Sequence, residues 1–155
     1  MPKCYILIGL PGVGKSTWLQ ESQDFIPRFL CFLSSDAIIE IIAREFGYEY
    51  DDIFSDVVKF ADRVFWDDLK IAGNKRANFA VDRTNLTRKS RKKIMDALPG
   101  YEFVAVEFAK PDETEWRRRL NSRKGKTIPE HVLESMQNSY EPATRQEGFS
   151  EIINV

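Results

Sequence analysis

Residues 4–16 read Cys-Tyr-Ile-Leu-Ile-Gly-Leu-Pro-Gly-Val-Gly-Lys-Ser. The apolar run over 4–10 is the pattern of a strand buried on both faces of a parallel sheet. Residues 11–14 break it, and residues 15–23 predict a helix. Gly9, Gly14, Lys15 and Ser16 stand at the spacing of a phosphate-binding loop between that strand and that helix. Glycines let backbone N–H groups converge on phosphate oxygens where a Cβ would crowd them. The N-terminus of the following helix adds the positive end of its dipole. Gly9, Gly12, Val13, Gly14, Lys15, Ser16 and Thr17 are therefore the expected nucleotide contacts. Lys15 is expected to reach the β- and γ-phosphates, and the Ser16 hydroxyl to ligate Mg²⁺. A chance glycine-rich turn would leave Lys15 and Ser16 without an explanation.

Outward from the loop, the pattern alternates. Residues 29–33 and 78–81 are short apolar runs, 101–108 alternates with β-formers, and 150–155 closes the chain with Ile152 and Ile153. Between them, residues 37–46 and 52–72 are apolar at helical spacing, with Gly73-Asn74 expected to stop the second. Thr87 is the expected N-cap of a helix over 88–98. Pro111 opens a helix over 112–121 and Pro129 one that ends near residue 140. Strands alternating with helices predict an α/β fold, a parallel sheet flanked by helices.

The length of 155 residues suits one domain, 1–155. Apolar content of 43%, charged content of 30% and a net charge of −1 describe an ordinary globular chain, neither disordered nor coated with positive charge. Cys4 and Cys31 sit in apolar runs without metal-ligand spacing, so two buried thiols in a reducing compartment are expected. His131 is the only histidine, which removes zinc chemistry. No run approaches a membrane span, and the N-terminus lacks a signal-peptide pattern. A cytoplasmic protein is expected.

Asp36 follows the second predicted strand and Asp82 the third. The C-terminal ends of strands border the ligand crevice of an open parallel sheet. A carboxylate at 36 either accepts the proton of an attacking hydroxyl or caps the next helix. One at 82 either holds Mg²⁺ through water, orients a basic group, or belongs to the turn Asp82-Arg83-Thr84-Asn85. Arg119 and Arg123 are four residues apart, on one face if helical. Arg117, Arg118, Lys124 and Lys126 crowd the same stretch. Gly125 and Pro129 beside it suggest a hinged, basic lid over about 117–128 rather than a plain solvated face.

The loop, Asp36, the segment Val-Asp-Arg-Thr-Asn-Leu-Thr over 81–87 and Arg-Leu-Asn-Ser-Arg-Lys-Gly-Lys-Thr-Ile-Pro over 119–129 together resemble the kinase domain of phage polynucleotide kinase and its small P-loop kinase relatives. Met136, Tyr140-Glu141-Pro142 and Glu147-Gly148-Phe149 extend the likeness, so it covers almost the whole chain. The resemblance implies a P-loop kinase fold and ATP as donor. It assigns phosphates and Mg²⁺ to Lys15 and Ser16, the general base to Asp36, and lid contacts to Arg119 and Arg123. Asp82 matches the acidic residue that opens the Thr-Asn segment. It also implies a hydroxyl acceptor on nucleic acid, in a host cytoplasm if the chain is phage-encoded.

Two departures fall on the acceptor side. Where the 5′-OH kinases carry an arginine that grips the acceptor's phosphate, this chain has Ile39. Arg83 is inserted before Thr84, where it either replaces that grip, as a substrate contact beside Asp36 and Asp82, or faces solvent. The same wider group includes phage kinases of 5-hydroxymethyluracil in DNA, and a downstream phosphatase domain is not expected. A nucleic-acid acceptor, DNA favoured, also fits the uneven charge: Lys75, Arg76, Arg83, Arg88, Lys89, Arg91, Lys92 and Lys93 cluster in sequence. The alternative for its Arg88–Lys93 part is an ordinary solvated helix face. The alternatives are a small-molecule kinase for a nucleoside, sugar or antibiotic, with Tyr48, Tyr50, Phe54, Phe65 and Trp66 lining a pocket or packing a core, and a nucleotide-gated interaction module without turnover.

Overall fold

Strand β1 (Lys3–Ile8) is apolar on both faces because it lies in the middle of a five-stranded parallel sheet. In the computed structural model, which describes residues 1–22 and 31–155, the strand order is β2 (Cys31–Leu33), β3 (Phe79–Val81), β1, β4 (Glu102–Glu107), β5 (Phe149–Asn154). Tyr5 stands opposite Ala80 on one side and Val104 on the other.

Successive side chains of a strand point to opposite faces, and the core divides accordingly. Cys4, Ile6, Ile8, Phe79, Val81 and Ala105 face a layer built from α3 (Tyr50–Asn74) and α4 (Arg88–Asp96), through Phe65, Leu69, Ala72 and Ile94. Leu7, Ala80 and Val106 face α1 (Lys15–Glu21), α5 (Glu113–Asn121) and α6 (Glu130–Ser139), through Leu19, Trp116 and Leu133. Phe65 and Leu69 are fully buried, each stabilising the fold by about 1.5–3 kcal/mol of apolar transfer. A third cluster, Ile39, Ala43, Ile53 and Ala61, joins α2 (Ser35–Phe46) to the first half of α3 as a helical hairpin.

The alternation of elements is as the sequence predicts, with local differences that have physical causes. Helix α3 starts at Tyr50, two residues ahead of the predicted start at 52; the backbone N–H of Glu49 donates to Asp52, which closes its first turn. The same helix runs through Gly73 rather than stopping there. A Cβ on Gly73 would lie 3.0 Å from Leu98, so this glycine serves close packing. The left-handed residue after the helix is Arg76, at φ 55°. Part of the predicted strand (29–30) and the end of the predicted first helix (Gln23) lie outside the described residues. Cys4 is buried, and burial pushes its thiol up; His131 is exposed. Among the described residues no helix is long and apolar enough to cross a membrane.

Candidate active site

The adjacent strands β2, β3 and β1 end side by side, and the chain leaves them at Asp36, Asp82 and the glycine loop respectively. That loop is shaped by its glycines: Gly12 and Gly14 adopt φ 76° and 104°, values that residues with a Cβ rarely take. At Gly9 a Cβ would meet Val13 at 2.9 Å and Phe108 at 3.0 Å. The Lys15 ammonium lies in the loop, donating to the carbonyls of Gly9 and Leu10, each at 2.8 Å. Burial lowers its pKa to about 8, with Asp82 opposing that shift. Ser16 and Thr17 are exposed in the first turn of α1.

Asp36 does not cap its helix. Ser34 does, accepting from the N–H of Ala37 at 3.2 Å, so the Asp36 carboxylate is left to the site. One of its oxygens accepts from the Tyr50 hydroxyl at 2.9 Å and the other from Lys126 Nζ at 2.9 Å. Burial raises the Asp36 pKa, but Lys126, Tyr50 and Arg123 outweigh it, and the carboxyl ends below its ordinary value. Asp82 goes the other way. Burial lifts it above the ordinary range, Lys15 opposes this, and Asp36 adds to it. The Asp82 N–H donates to the Leu33 carbonyl at 2.9 Å, Lys126 bonds to Asp36 at 2.9 Å, and Arg123 and Lys126 line one cleft, so the ends of β2 and β3 and the segment 117–128 border one space.

The turn after Asp82 is fastened to the loop. Gly9 N–H donates to the Thr84 carbonyl at 3.0 Å, and the Asn85 side chain donates to the Leu7 carbonyl at 2.7 Å. Asn85 is left-handed at φ 46°, a conformation asparagine tolerates better than most residues. Arg83 leaves this turn toward α3. It pairs with Asp62 at 3.0 Å and lies 4.6 Å from the Phe65 ring centroid. It therefore does not face solvent freely, and its partners are on α3. Ile39 is buried in the hairpin core, so a side chain at that position packs rather than grips.

The basic segment 117–128, expected above to act as a lid, is placed by Trp116, which is fully buried and donates its indole N–H to the Pro11 carbonyl at 2.7 Å. One turn on, Arg119 lies over the loop: a Cβ on Gly14 would be 4.0 Å from its guanidinium. Arg119 itself pairs with Glu115 at 2.7 Å. Arg123 lines a cleft of ≈ 280 Å³ together with Glu40, Arg44, Tyr48, Tyr50 and Lys126. Beyond it, the lid docks on the start of α3. Asp51 accepts from the Thr127 N–H at 3.1 and 2.8 Å, and the Asp51 N–H donates to the Gly125 carbonyl at 2.9 Å. Gly125 is at φ 72°, and a Cβ there would meet Glu49 at 1.9 Å. Gly125→Ala is expected to destabilise the chain by about 1–2 kcal/mol, since Glu49 swings away but the left-handed strain remains. Thermal denaturation should show a fall of about 2–8 °C; an unchanged midpoint would mean that the lid is not docked this way.

Lys126, Glu40, Trp116 and Asn85 carry the site's geometry without having stood out as site residues in the sequence. Lys126 is one of several lid cations and has no local mark to separate it from Lys124. The aromatics divide: Tyr48 and Tyr50 line the cleft, Phe65 is core, and Phe54 is exposed. The basic cluster of the third strand and its helix loses one member to the interior. Arg91 is completely buried and ion-paired with Glu147 at 2.7 Å. Lys92 pairs with Asp96, and Lys93 lies 4.2 Å from the Trp66 ring centroid. Lys75, Arg76, Arg88, Lys89, Lys92 and Lys93 all stay exposed.

The parallel sheet, the glycine loop and the strand-end carboxylates define a P-loop kinase-like fold, the fold of phosphotransferase enzymes related to polynucleotide and nucleotide kinases. A family model described as an AAA domain matches residues 5–143, and the chain belongs to that family. Mouse heterogeneous nuclear ribonucleoprotein U-like protein 2 is 24% identical over 143 residues, 87% of this chain, which spans only 19% of that protein's length. Among solved structures, a chain of the Pnkp1/Rnl/Hen1 RNA repair complex superposes with a TM-score of 0.68 at 22% identity, over 89% of this chain and 43% of that one. A sugar kinase from a Janibacter species superposes with a TM-score of 0.64 at 17% identity, over 99% and 86%.

Proposed function

We propose that this chain transfers the γ-phosphate of ATP to an alcohol hydroxyl, with Asp36 as general base. The observation that carries the reading is that Lys126 bonds to Asp36 at 2.9 Å and lines one cleft with Arg123, beside the strand ends that bear Asp82 and the glycine loop with Lys15. The loop and Lys15 hold the donor's phosphates. The acceptor oxygen bonds to the γ-phosphorus as the bond to the ADP oxygen breaks, and the acceptor's proton passes to the Asp36 carboxylate. Arg119 over the loop and Arg123 at the cleft neutralise charge on the transferring group.

One hydroxyl and one carboxylate suit Mg²⁺, which binds through few protein oxygens together with phosphates and water. Ser16 and Asp82 would hold it, and its chemistry there is charge neutralisation on phosphate oxygens. Among the described residues no group of three or more acidic, histidine or cysteine side chains assembles, so a cage made wholly of protein ligands is not the arrangement proposed. Arg123→Ala is expected to lower kcat by about 10²–10³-fold, with a smaller effect on ATP affinity. A loss of affinity alone, by calorimetry, would assign Arg123 to ground-state binding.

The acceptor favoured is a small neutral polyhydroxy molecule, such as a sugar or nucleoside. Beside Asp36 stand Glu40, Tyr50 and a compact polar cleft, while Arg91 of the basic cluster is buried and Arg83 is turned to Asp62 on α3. The cleft carries Arg44, Arg123, Lys124 and Lys126 as well as Glu40 and Glu49, so its compact volume of ≈ 280 Å³ rather than its charge favours a small acceptor. The second reading, a hydroxyl of DNA or RNA, whether a 5′-OH or a 5-hydroxymethyl base, draws on the exposed Arg88 and Lys89 and on the fold shared with the RNA repair chain. The test is transfer of labelled γ-phosphate to sugars, nucleosides, a 5′-OH oligonucleotide, and an end-blocked oligonucleotide carrying 5-hydroxymethyluracil. Label on sugars or nucleosides alone supports the first reading. Label on an oligonucleotide replaces it with the second, and label on none removes the kinase reading.

A further inference from the structure

Lys126 is the least exposed cation of the lid, its side chain 8% accessible. Its ammonium bonds to Asp36 at 2.9 Å and to Glu40 at 3.2 Å, and lies 4.3 Å from the Tyr50 ring centroid. Asp36 and Glu40 sit one turn apart on α2, and Tyr50 opens α3, so one lid side chain ties together both arms of the hairpin. It reaches that place only because the lid docks on α3 through Asp51, Gly125 and Thr127. A side chain this enclosed cannot hold its position if the lid lifts.

We propose that Lys126 is a positioning residue which makes the competence of Asp36 conditional on lid closure. With the lid down, Lys126 and Tyr50 each occupy one Asp36 oxygen, fixing the carboxylate's orientation. A carboxylate offers about four lone-pair sites, so an acceptor hydroxyl still finds one. Lys126 also favours the ionised carboxylate, the form needed to take a proton. When the lid lifts, that counter-charge leaves and Asp36 becomes easier to protonate. The charged and titratable groups around Asp36 come from every neighbouring element: Glu40, one turn on in its own helix and sharing Lys126 with it, Tyr50 from α3, Lys15 from the loop, Asp82 from the end of β3, and Arg123 with Lys126 from the lid. Of these, Lys126 is the cation in direct contact.

This inference rests on Asp36 being the base, so its test has one arm that needs no turnover. Asp36 is titrated by carboxyl NMR in the full chain, and the pH dependence of kcat/KM is measured on whatever acceptor is phosphorylated. Lys126→Met removes the cation. The folded Asp36 carboxyl, held below its ordinary value by Lys126, should then titrate at higher pH. The acid limb of kcat/KM should move up with it, so the loss of activity is largest at low pH and fades above the limb. Glu40→Gln removes a neighbouring negative charge and should move both in the opposite direction, which keeps the test open if Lys126→Met proves poorly folded. Lys126→Arg should restore part of the wild-type profile. An Asp36 titration unmoved by Lys126→Met, or a moved titration with a stationary acid limb, overturns the proposal. A moved titration in a chain that phosphorylates nothing would uphold the contact and sink the kinase reading instead.

Discussion

Asp36→Asn is expected to slow phosphoryl transfer by about 10²–10⁴-fold, the range that a positioned general base contributes, while ATP affinity stays near the wild-type value. The substitution keeps the size of the side chain, and its carbonyl oxygen still accepts from Tyr50, but the amide cannot take a proton. The hairpin should be undisturbed, because Ser34 rather than Asp36 caps α2. Lys126 keeps Glu40 as a partner at 3.2 Å, so the lid retains one of its ties. Steady-state kinetics on the acceptor found by the labelling panel, with calorimetry for ATP, separates the two quantities. Equal kcat in the variant would move the base role elsewhere in the cleft.

Arg91→Met is expected to produce the largest loss of stability. Arg91 is fully buried, forms two hydrogen bonds to Glu147 at 2.7 and 2.9 Å, and donates to the carbonyls of Asn85 and Glu141 at 2.9 and 3.0 Å. Methionine fills similar volume but leaves Glu147, whose side chain is 10% exposed, with only the more distant Arg88, at 3.9 Å, as a counter-charge. Breaking one side of a buried pair costs about 3–5 kcal/mol, against a total of about 5–15 kcal/mol for an ordinary domain. Arg91→Lys should recover little, since an ammonium cannot reproduce the planar fork. Arg91→Met combined with Glu147→Gln should recover more, because that charge is gone. Urea unfolding reads all three; a loss below about 1 kcal/mol for Arg91→Met, the scale of a surface pair, would show that Arg91 is not the staple described.

Arg91 also shows why a list of basic residues is a poor guide to a nucleic-acid surface. In the sequence it sits between exposed neighbours, and nothing local distinguishes it from Lys89 or Lys92. Its partner lies 56 residues away. Ile39 is the reverse case. Its apolar character already ruled out a grip on phosphate, and the structure adds the reason it is apolar, the core shared by α2 and α3.

The sequence by itself determined the loop, the alternation of strands and helices, and the positions of Asp36 and Asp82 at strand ends. Those features are local: apolar period, capping residues and glycine backbone freedom act within a few residues of chain. Only the tertiary structure decided which charges meet. Lys126 reaches Asp36 across 90 residues, through a lid hung from Trp116 and docked on Asp51. Whether a cation is a solvated point charge or a buried tie depends on what folds over it. That depends on long-range packing, which no spacing in the sequence records.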